Sequence, residues 1–437
     1  IHFSRGYSAS PVCVTSRASM LTGCHFHKMK DTGWWGQPTT DRHGRTLPAL
    51  LTKAGYQTHG YGKFHYTPTH CNYGWEHIET LDFYYRELRM QRPDRLRAMD
   101  HGVGQNEMEP VLATVHENES LTRWTVERGI RFLETRDHSR PFCLYLGFSK
   151  PHPPFDPPAN YWALYQNTTV PDPIYGDWSA DRENLPPGLM TPTWSSNGID
   201  SWSVERIRDA RRAYYALITQ IDYQLGLLLG RLRELGELDN TTILFTSDHG
   251  EMLGDHHMGA KSVFLEPSAH VPYILRPSND YASLRGTTCD SLACMADILP
   301  TFCQAAGAEI PSDCDGIDLF AQARGDLRRE RLFHLIAPTA GILDGDLKYL
   351  WSYAGGDELL FDLNQDPMEQ RDLIRAGTHQ AERDRLRRLL AAEMQEHAFV
   401  SSGELVSIWE CPTRASCRTK TWPGWHSADH TINDVLH

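Results

Sequence analysis

Ser8-Ala9-Ser10-Pro11 runs through Val12 into Cys13-Val14-Thr15-Ser16-Arg17-Ala18-Ser19-Met20-Leu21-Thr22-Gly23. The small residues of the lead-in keep it extended, Pro11 disfavours helix at Ser10, and residues 16–21 can then open a helix. The N-terminus of such a helix is a seat for an anion, and it lies beside Cys13. A cysteine in that place reads in two ways, as a small buried hydrophobe with an inert thiol or as a nucleophile.

Further along, apolar runs end in polar side chains. Ala54-Gly55-Tyr56-Gln57-Thr58-His59-Gly60-Tyr61 alternates like a strand and leads to Gly62-Lys63-Phe64-His65, where persistent extended geometry would put Lys63 and His65 on one side. Pro141-Phe142-Cys143-Leu144-Tyr145-Leu146-Gly147-Phe148 has the pattern of a buried parallel strand and is followed by Lys150-Pro151-His152-Pro153-Pro154-Phe155. Thr242-Ile243-Leu244-Phe245-Thr246-Ser247 runs into Asp248-His249-Gly250-Glu251, with Lys261 beyond. Strand ends of an open α/β sheet are where ligands bind, so these stretches point to one rim. Taken singly, each is also what an ordinary solvated His or Lys, or an Asp-Gly turn, looks like.

Together and in this order, the four stretches resemble the sulfatase family, with agreement from about Ser8 to Leu373. The resemblance implies an alkaline-phosphatase-like α/β fold, a large mainly parallel sheet sandwiched by helices, and a small C-terminal α+β subdomain with an antiparallel sheet. It implies that a formylglycine-generating enzyme converts Cys13 to formylglycine, whose hydrate attacks the sulfur of a sulfate ester while Arg17 helps hold the deprotonated oxygen. Asp248 and His249, with residue 13, match metal-ligand positions. The metal implied is a divalent ion, Ca²⁺ first, with Mg²⁺ or Mn²⁺ as alternatives. Lys63 and Lys261 match positions that contact sulfate, His65 a partner of the formylglycine, and His152 a residue near the leaving group. Either His152 or Lys261 then protonates the departing alkoxide, and His65 is the expected base that regenerates the aldehyde.

Two departures stand out. The family carries paired aspartates upstream of the cysteine, whereas residues 1–12 contain no Asp or Glu, and a hard cation wants more oxygen ligands than Asp248 supplies. The expectation is that a segment carrying them precedes Ile1; a non-catalytic relative that only binds sulfated glycans is the alternative. The second departure is Pro267, where the family often carries acidic and arginine residues.

The 437 residues, 40% of them hydrophobic, suffice for a large buried core, and a formal charge of −13 argues against nucleic acid and anionic membranes as general partners. No apolar run is long enough to span a bilayer. Of ten cysteines, Cys143, Cys294 and Cys303 lie in apolar segments, while Cys411 and Cys417 are the best disulfide candidates and favour a periplasmic or secreted location. Asn118, Asn167 and Asn240 begin glycosylation triplets. Helices are expected over residues 46–54, 121–135, 204–235, 291–306 and 380–396, an antiparallel pair over 347–353 and 358–363, and long surface loops over 150–202. The division expected is a catalytic domain over residues 1–325 and the C-terminal subdomain over 326–437.

The activity expected is sulfuric ester hydrolysis on a sulfated carbohydrate, with Trp34, Trp35, Trp75, Tyr84 and Tyr85 available to stack on sugar rings. A phosphonate or phosphate diester hydrolase with the same nucleophile is the alternative enzyme. No oligomeric state follows from the sequence.

Overall fold

The computed structural model describes residues 1–29, 44–66, 71–91, 101–180, 185–186, 199–336, 339–352 and 356–396. Trp34, Trp35, Cys411 and Cys417 lie outside them. The strands are β1 (His2–Phe3), β2 (Gly6–Tyr7), β3 (Gln57–Gly62), β4 (His77–Thr80), β5 (Phe142–Gly147), β6 (Ile243–Thr246), β7 (Tyr273–Arg276), β8 (Thr288–Cys289), β9 (Ala293–Cys294), β10 (Arg331–Ile336), β11 (Thr339–Asp344), β12 (Leu347–Ser352) and β13 (Glu358–Asp362). The helices that matter below are α1 (Cys13–Thr22), α2 (Leu47–Lys53), α3 (Leu81–Gln91), α4 (Leu121–Thr135), α5 (Ala159–Tyr165), α6 (Val204–Glu234), α7 (Glu266–Ala269), α8 (Ile298–Ala306), α9 (Leu319–Arg324) and α10 (Gln380–Glu396).

Strands β4, β3 and β5 form a parallel sheet, β2 and β9 a parallel pair, and β6-β7-β1-β8 a mixed sheet in which β7 alone runs against the other three. β6 therefore meets an antiparallel neighbour in β7. The C-terminal sheet β10-β11-β12-β13 is an antiparallel meander. Tyr61, Val126, Phe132 and Leu228 fill the layer between β3, α4 and α6, while Phe3, Leu51, Tyr273 and Leu299 fill that under α2 and α8. Leu335, Tyr349, Leu360, Leu386 and Leu390 seat α10 on the C-terminal sheet. A further cluster joins Tyr7 and Phe264 to Leu350 and Phe361, so the core continues from the N-terminal layers into that sheet.

Local chemistry explains the helix limits. Ser120 and Ser203 accept hydrogen bonds from the amides of Arg123 and Arg206, capping α4 and α6 where the apolar stripes begin. The stripe of α6 buries Ala213, Leu217, Ile221 and Leu228 as its spacing predicts. Over residues 291–306 the expectation was too long: β9 comes first, because the buried Asp297 carboxylate takes the Cys294 and Ile317 amides, and regular helix starts only at Ile298. Residues 150–202 are not mere surface loops either. They include α5 and bury Phe155 and Trp178, whose indole N–H donates to the Glu369 carbonyl at 2.6 Å.

Candidate active site

Helix α1 starts at Cys13 itself, three residues before the expected opening, because Val12 is extended and its carbonyl accepts the Ser16 amide. Cys13 thus sits in the first turn, 4% exposed. One turn on, the Arg17 guanidinium donates to Asp248 Oδ2 at 2.7 Å, to the Lys63 carbonyl at 2.6 Å, and to the Tyr145 hydroxyl. That single side chain ties α1 to the ends of β3, β5 and β6.

The end of β3 is set by glycines. A Cβ on Gly62 would fall 2.2 Å from the Gly147 carbonyl, and one on Gly147 would fall 2.2 Å from the Lys63 carbonyl. This close approach lets the Lys63 amide donate to Gly147 at 2.7 Å and turns the buried Lys63 ammonium to 3.5 Å from Cys13 Sγ. The left-handed backbone at Gly62 (φ 99°) and again at His65 (φ 58°) ends the alternation, so Lys63 is buried while His65 is exposed. The expected placement of Lys63 and His65 on one side does not hold. His65 makes no hydrogen bond to the cluster among the described residues.

Beyond β6, His249 Nε2 lies 3.1 Å from Cys13 Sγ, and its Nδ1 donates to the Gly250 carbonyl at 2.8 Å. Lys261 returns through a loop in which Leu253, His256, His257, Ala260 and Ser262 all take left-handed backbone angles. The Ser262 amide donates to the Pro11 carbonyl at 3.1 Å, fastening that loop to the approach to Cys13. Pro267 supports it from outside, since its carbonyl accepts the Glu251 amide at 2.8 Å. The Lys261 ammonium donates to His152 Nε2 at 2.8 Å, and His152 Nδ1 donates to the Pro153 carbonyl at 3.0 Å.

The charges decide protonation. Burial alone would raise the Cys13 thiol, but Lys63, Lys261 and His249 hold it well below the ordinary thiol range. Burial opposes ionisation of Asp248 too, and Arg17 with His249 more than offsets it, leaving a carboxylate. His152 is pushed down to about 3 by burial and by Lys261 and Lys63, so it rests neutral. In the chain with an unmodified thiol, the ultraviolet absorbance of the Cys13 thiolate is expected to persist well below the pH at which a free cysteine loses it. Lys63→Ala should move that transition upward; an unmoved midpoint would mean that Lys63 does not set the thiol.

Cys13, Asp248 and His249 offer ligand atoms that all lie within 4.8 Å of one another. Because Nδ1 of His249 is held by a carbonyl, Nε2 is the nitrogen left facing the cluster and the one that a cation would take, the arrangement usual for a metal-bound imidazole. Asp248 keeps Oδ1 on the same side, 3.8 Å from that nitrogen. These three donors fit part of the shell of a divalent cation, with Asp248 the one carboxylate among them.

A sequence model of the sulfatase family matches residues 1–308. The chain belongs to the sulfatase family. The arylsulfatase of Clostridium perfringens is 31% identical to it, covering 94% of this chain and 91% of the relative. The N-acetylglucosamine-6-O-sulfatase of Bacteroides thetaiotaomicron is 26% identical over 91% and 80% of the two chains. Among solved structures, the phosphonate monoester hydrolase of Agrobacterium radiobacter superposes with a TM-score of 0.75 at 23% identity, covering 91% and 88% of the chains. A protein solved with its substrate D-glucosamine-2-N,6-O-disulfate gives 0.69 at 22% identity, covering 91% and 90%. These likenesses are of fold, which is alkaline-phosphatase-like.

In this sulfatase the structure gathers Cys13, Arg17, Lys63, His152, Asp248, His249 and Lys261, and leaves His65 outside. Trp75 and Tyr84 are not sugar platforms: Trp75 is buried against Phe64 and Tyr145, and Tyr84 is buried with its hydroxyl on the Glu119 carbonyl. Tyr145, bonded to Arg17 and to the Lys63 carbonyl, went unremarked because it reads as one more apolar residue of β5. The signal was its hydroxyl in the middle of an otherwise apolar strand. No helix among the described residues is long and apolar enough to cross a membrane.

Proposed function

We propose that this sulfatase hydrolyses sulfate esters of a sulfated carbohydrate, with residue 13 converted to formylglycine and a divalent cation held by residue 13, Asp248 and His249. The observation that carries the reading is a residue at the head of a helix with an imidazole 3.1 Å and an ammonium 3.5 Å from its Sγ. Formylglycine would supply a hydroxyl nucleophile, and the cation a Lewis acid for the sulfate oxygens. Lys63 and Lys261 neutralise the non-bridging oxygens, and Arg17 fixes Asp248 and the rim. Lys261 carries the proton and neutral His152 accepts its hydrogen bond, so the two act as a couple that delivers a proton to the leaving oxygen.

Carbohydrate as the substrate class draws support from the relative named for N-acetylglucosamine-6-O-sulfate and from the fold shared with the protein bound to a sulfated glucosamine. With enzyme produced beside a formylglycine-generating enzyme, Lys63→Ala and Lys261→Ala are each expected to lower turnover of 4-nitrophenyl sulfate by on the order of 10²- to 10³-fold. Near-normal rates in both would overturn the roles given to them. The likeness to the phosphonate monoester hydrolase favours one second reading, so phenyl phosphonate monoesters belong in the same assay. A higher kcat/KM on these than on the sulfate would reassign the substrate while keeping the site.

A further inference from the structure

The loop that carries His152 has two short-range backbone bonds of its own, from the His152 amide to the Ser149 carbonyl at 3.2 Å and from the Asp156 amide to the Pro154 carbonyl at 3.1 Å. Pro151, Pro153 and Pro154 have no amide N–H, so few backbone bonds can fix its shape. What closes it is a side chain that the sequence marks only as part of the Lys-Pro-His run. The Lys150 ammonium donates to the Pro154 carbonyl at 2.8 Å and is ion-paired with Asp156, spanning the loop from one end to the other. Asp156 is itself anchored. The His101 Nδ1 accepts the Val103 amide at 3.2 Å, which places the ring proton on Nε2, 3.4 Å from Asp156 Oδ2. Side chains of Lys150, Asp156 and His101 are 17%, 10% and 9% exposed, so the network is shielded from solvent screening. None of the three touches the Cys13 cluster.

We propose that Lys150, braced by Asp156 and His101, is a positioning residue for proton delivery: it holds the His152 loop so that Nε2 stays on Lys261. This rests on the reading of His152 and Lys261 as the proton-donating couple. A leaving group that departs readily as an anion needs little help from that couple, and a poor one needs much. The signature of lost positioning is therefore a dependence on the leaving group, which general loosening of the fold would not produce.

The test compares 4-nitrophenyl sulfate with unsubstituted phenyl sulfate, using enzyme matured beside a formylglycine-generating enzyme. By the sensitivity of catalysis to small misplacements, Lys150→Met is expected to lower kcat by ~10²-fold on phenyl sulfate and by less than ~3-fold on the nitrophenyl ester. Asp156→Asn should give the same selectivity at smaller amplitude, and Lys150→Arg should recover part of the loss, since it keeps the charge and a donor. Unchanged thermal unfolding midpoints establish that the variants are folded. Equal losses on both esters, or none, overturn the proposal. His152→Ala is run alongside: if it is selective and the Lys150 and Asp156 variants are not, positioning by Lys150 is wrong while the couple stands. If His152→Ala shows no selectivity, the couple itself falls and this proposal falls with it.

Discussion

Replacing Cys13 with alanine is expected to lower hydrolysis of 4-nitrophenyl sulfate by on the order of 10⁴-fold or more, the scale of losing a covalent nucleophile. The surrounding fold should survive, because the side chain removed is small and α1 is held by Arg17 and by its own backbone bonds. Cys13→Ser distinguishes a modified residue from a native one. A hydroxyl in place of the thiol keeps the size and adds a nucleophile of sorts, yet it cannot be converted by an enzyme that acts on cysteine, so it should be as inactive as alanine. Peptide mass spectrometry of the active enzyme should find aldehyde or its hydrate at residue 13. Wild-type turnover from a chain whose Cys13 is wholly thiol would remove formylglycine from the mechanism.

The largest effect on stability is expected far from the nucleophile, at Lys348. Its ammonium is wholly enclosed, 2.8 Å from Glu369 Oε1 and paired also with Glu266, which accepts the Tyr7 hydroxyl at 3.0 Å. Burial pushes both carboxyls up; Lys348 and His270 hold Glu266 below the ordinary range, while Glu369, beside Glu266, stays above it. Lys348→Met leaves Glu369 enclosed without its counter-charge and Glu266 with only the His270 ring at 2.8 Å, and breaking such a group costs about 3–5 kcal/mol. Urea unfolding checks the value. The triple variant K348M/E266Q/E369Q, which has no charge left to strand, should regain much of the loss, and a triple variant no better than the single would show that packing rather than charge is at stake.

Much of this fold could be read from the chain because the deciding signals are local. Residues 121–135 and 380–396 form helices with the expected limits, and 347–352 and 358–362 pair antiparallel, since periodicity and caps are written in neighbouring residues. What failed depended on distant partners. Asp297 shortened a helix by bonding Ile317, Trp178 was drawn inward by Glu369, and two left-handed residues turned His65 away from Lys63. The site shows the same division. The polar residues at strand ends could be picked out by type, but nothing near Tyr145 announces Arg17, and nothing near Asp156 announces His101.

Cys13 and His249 meet across 236 positions of sequence, and once they have met Cys13 is 4% exposed beneath Lys63, just past β3, and His249, beyond β6. Long-range contacts of this kind close late. On the proposed conversion, an enzyme acting on Cys13 would have to reach it while residues 248–261 are still absent or unfolded, so maturation and folding would run as competing clocks. Cys13 precedes in the chain the residues, His249 and Lys261, that seal it. A chain refolded with its thiol intact should accordingly resist conversion by added formylglycine-generating enzyme, whereas the same chain held in denaturant-loosened form should accept it. Ready conversion of the refolded protein would mean that the lid over Cys13 opens far more often than its burial implies.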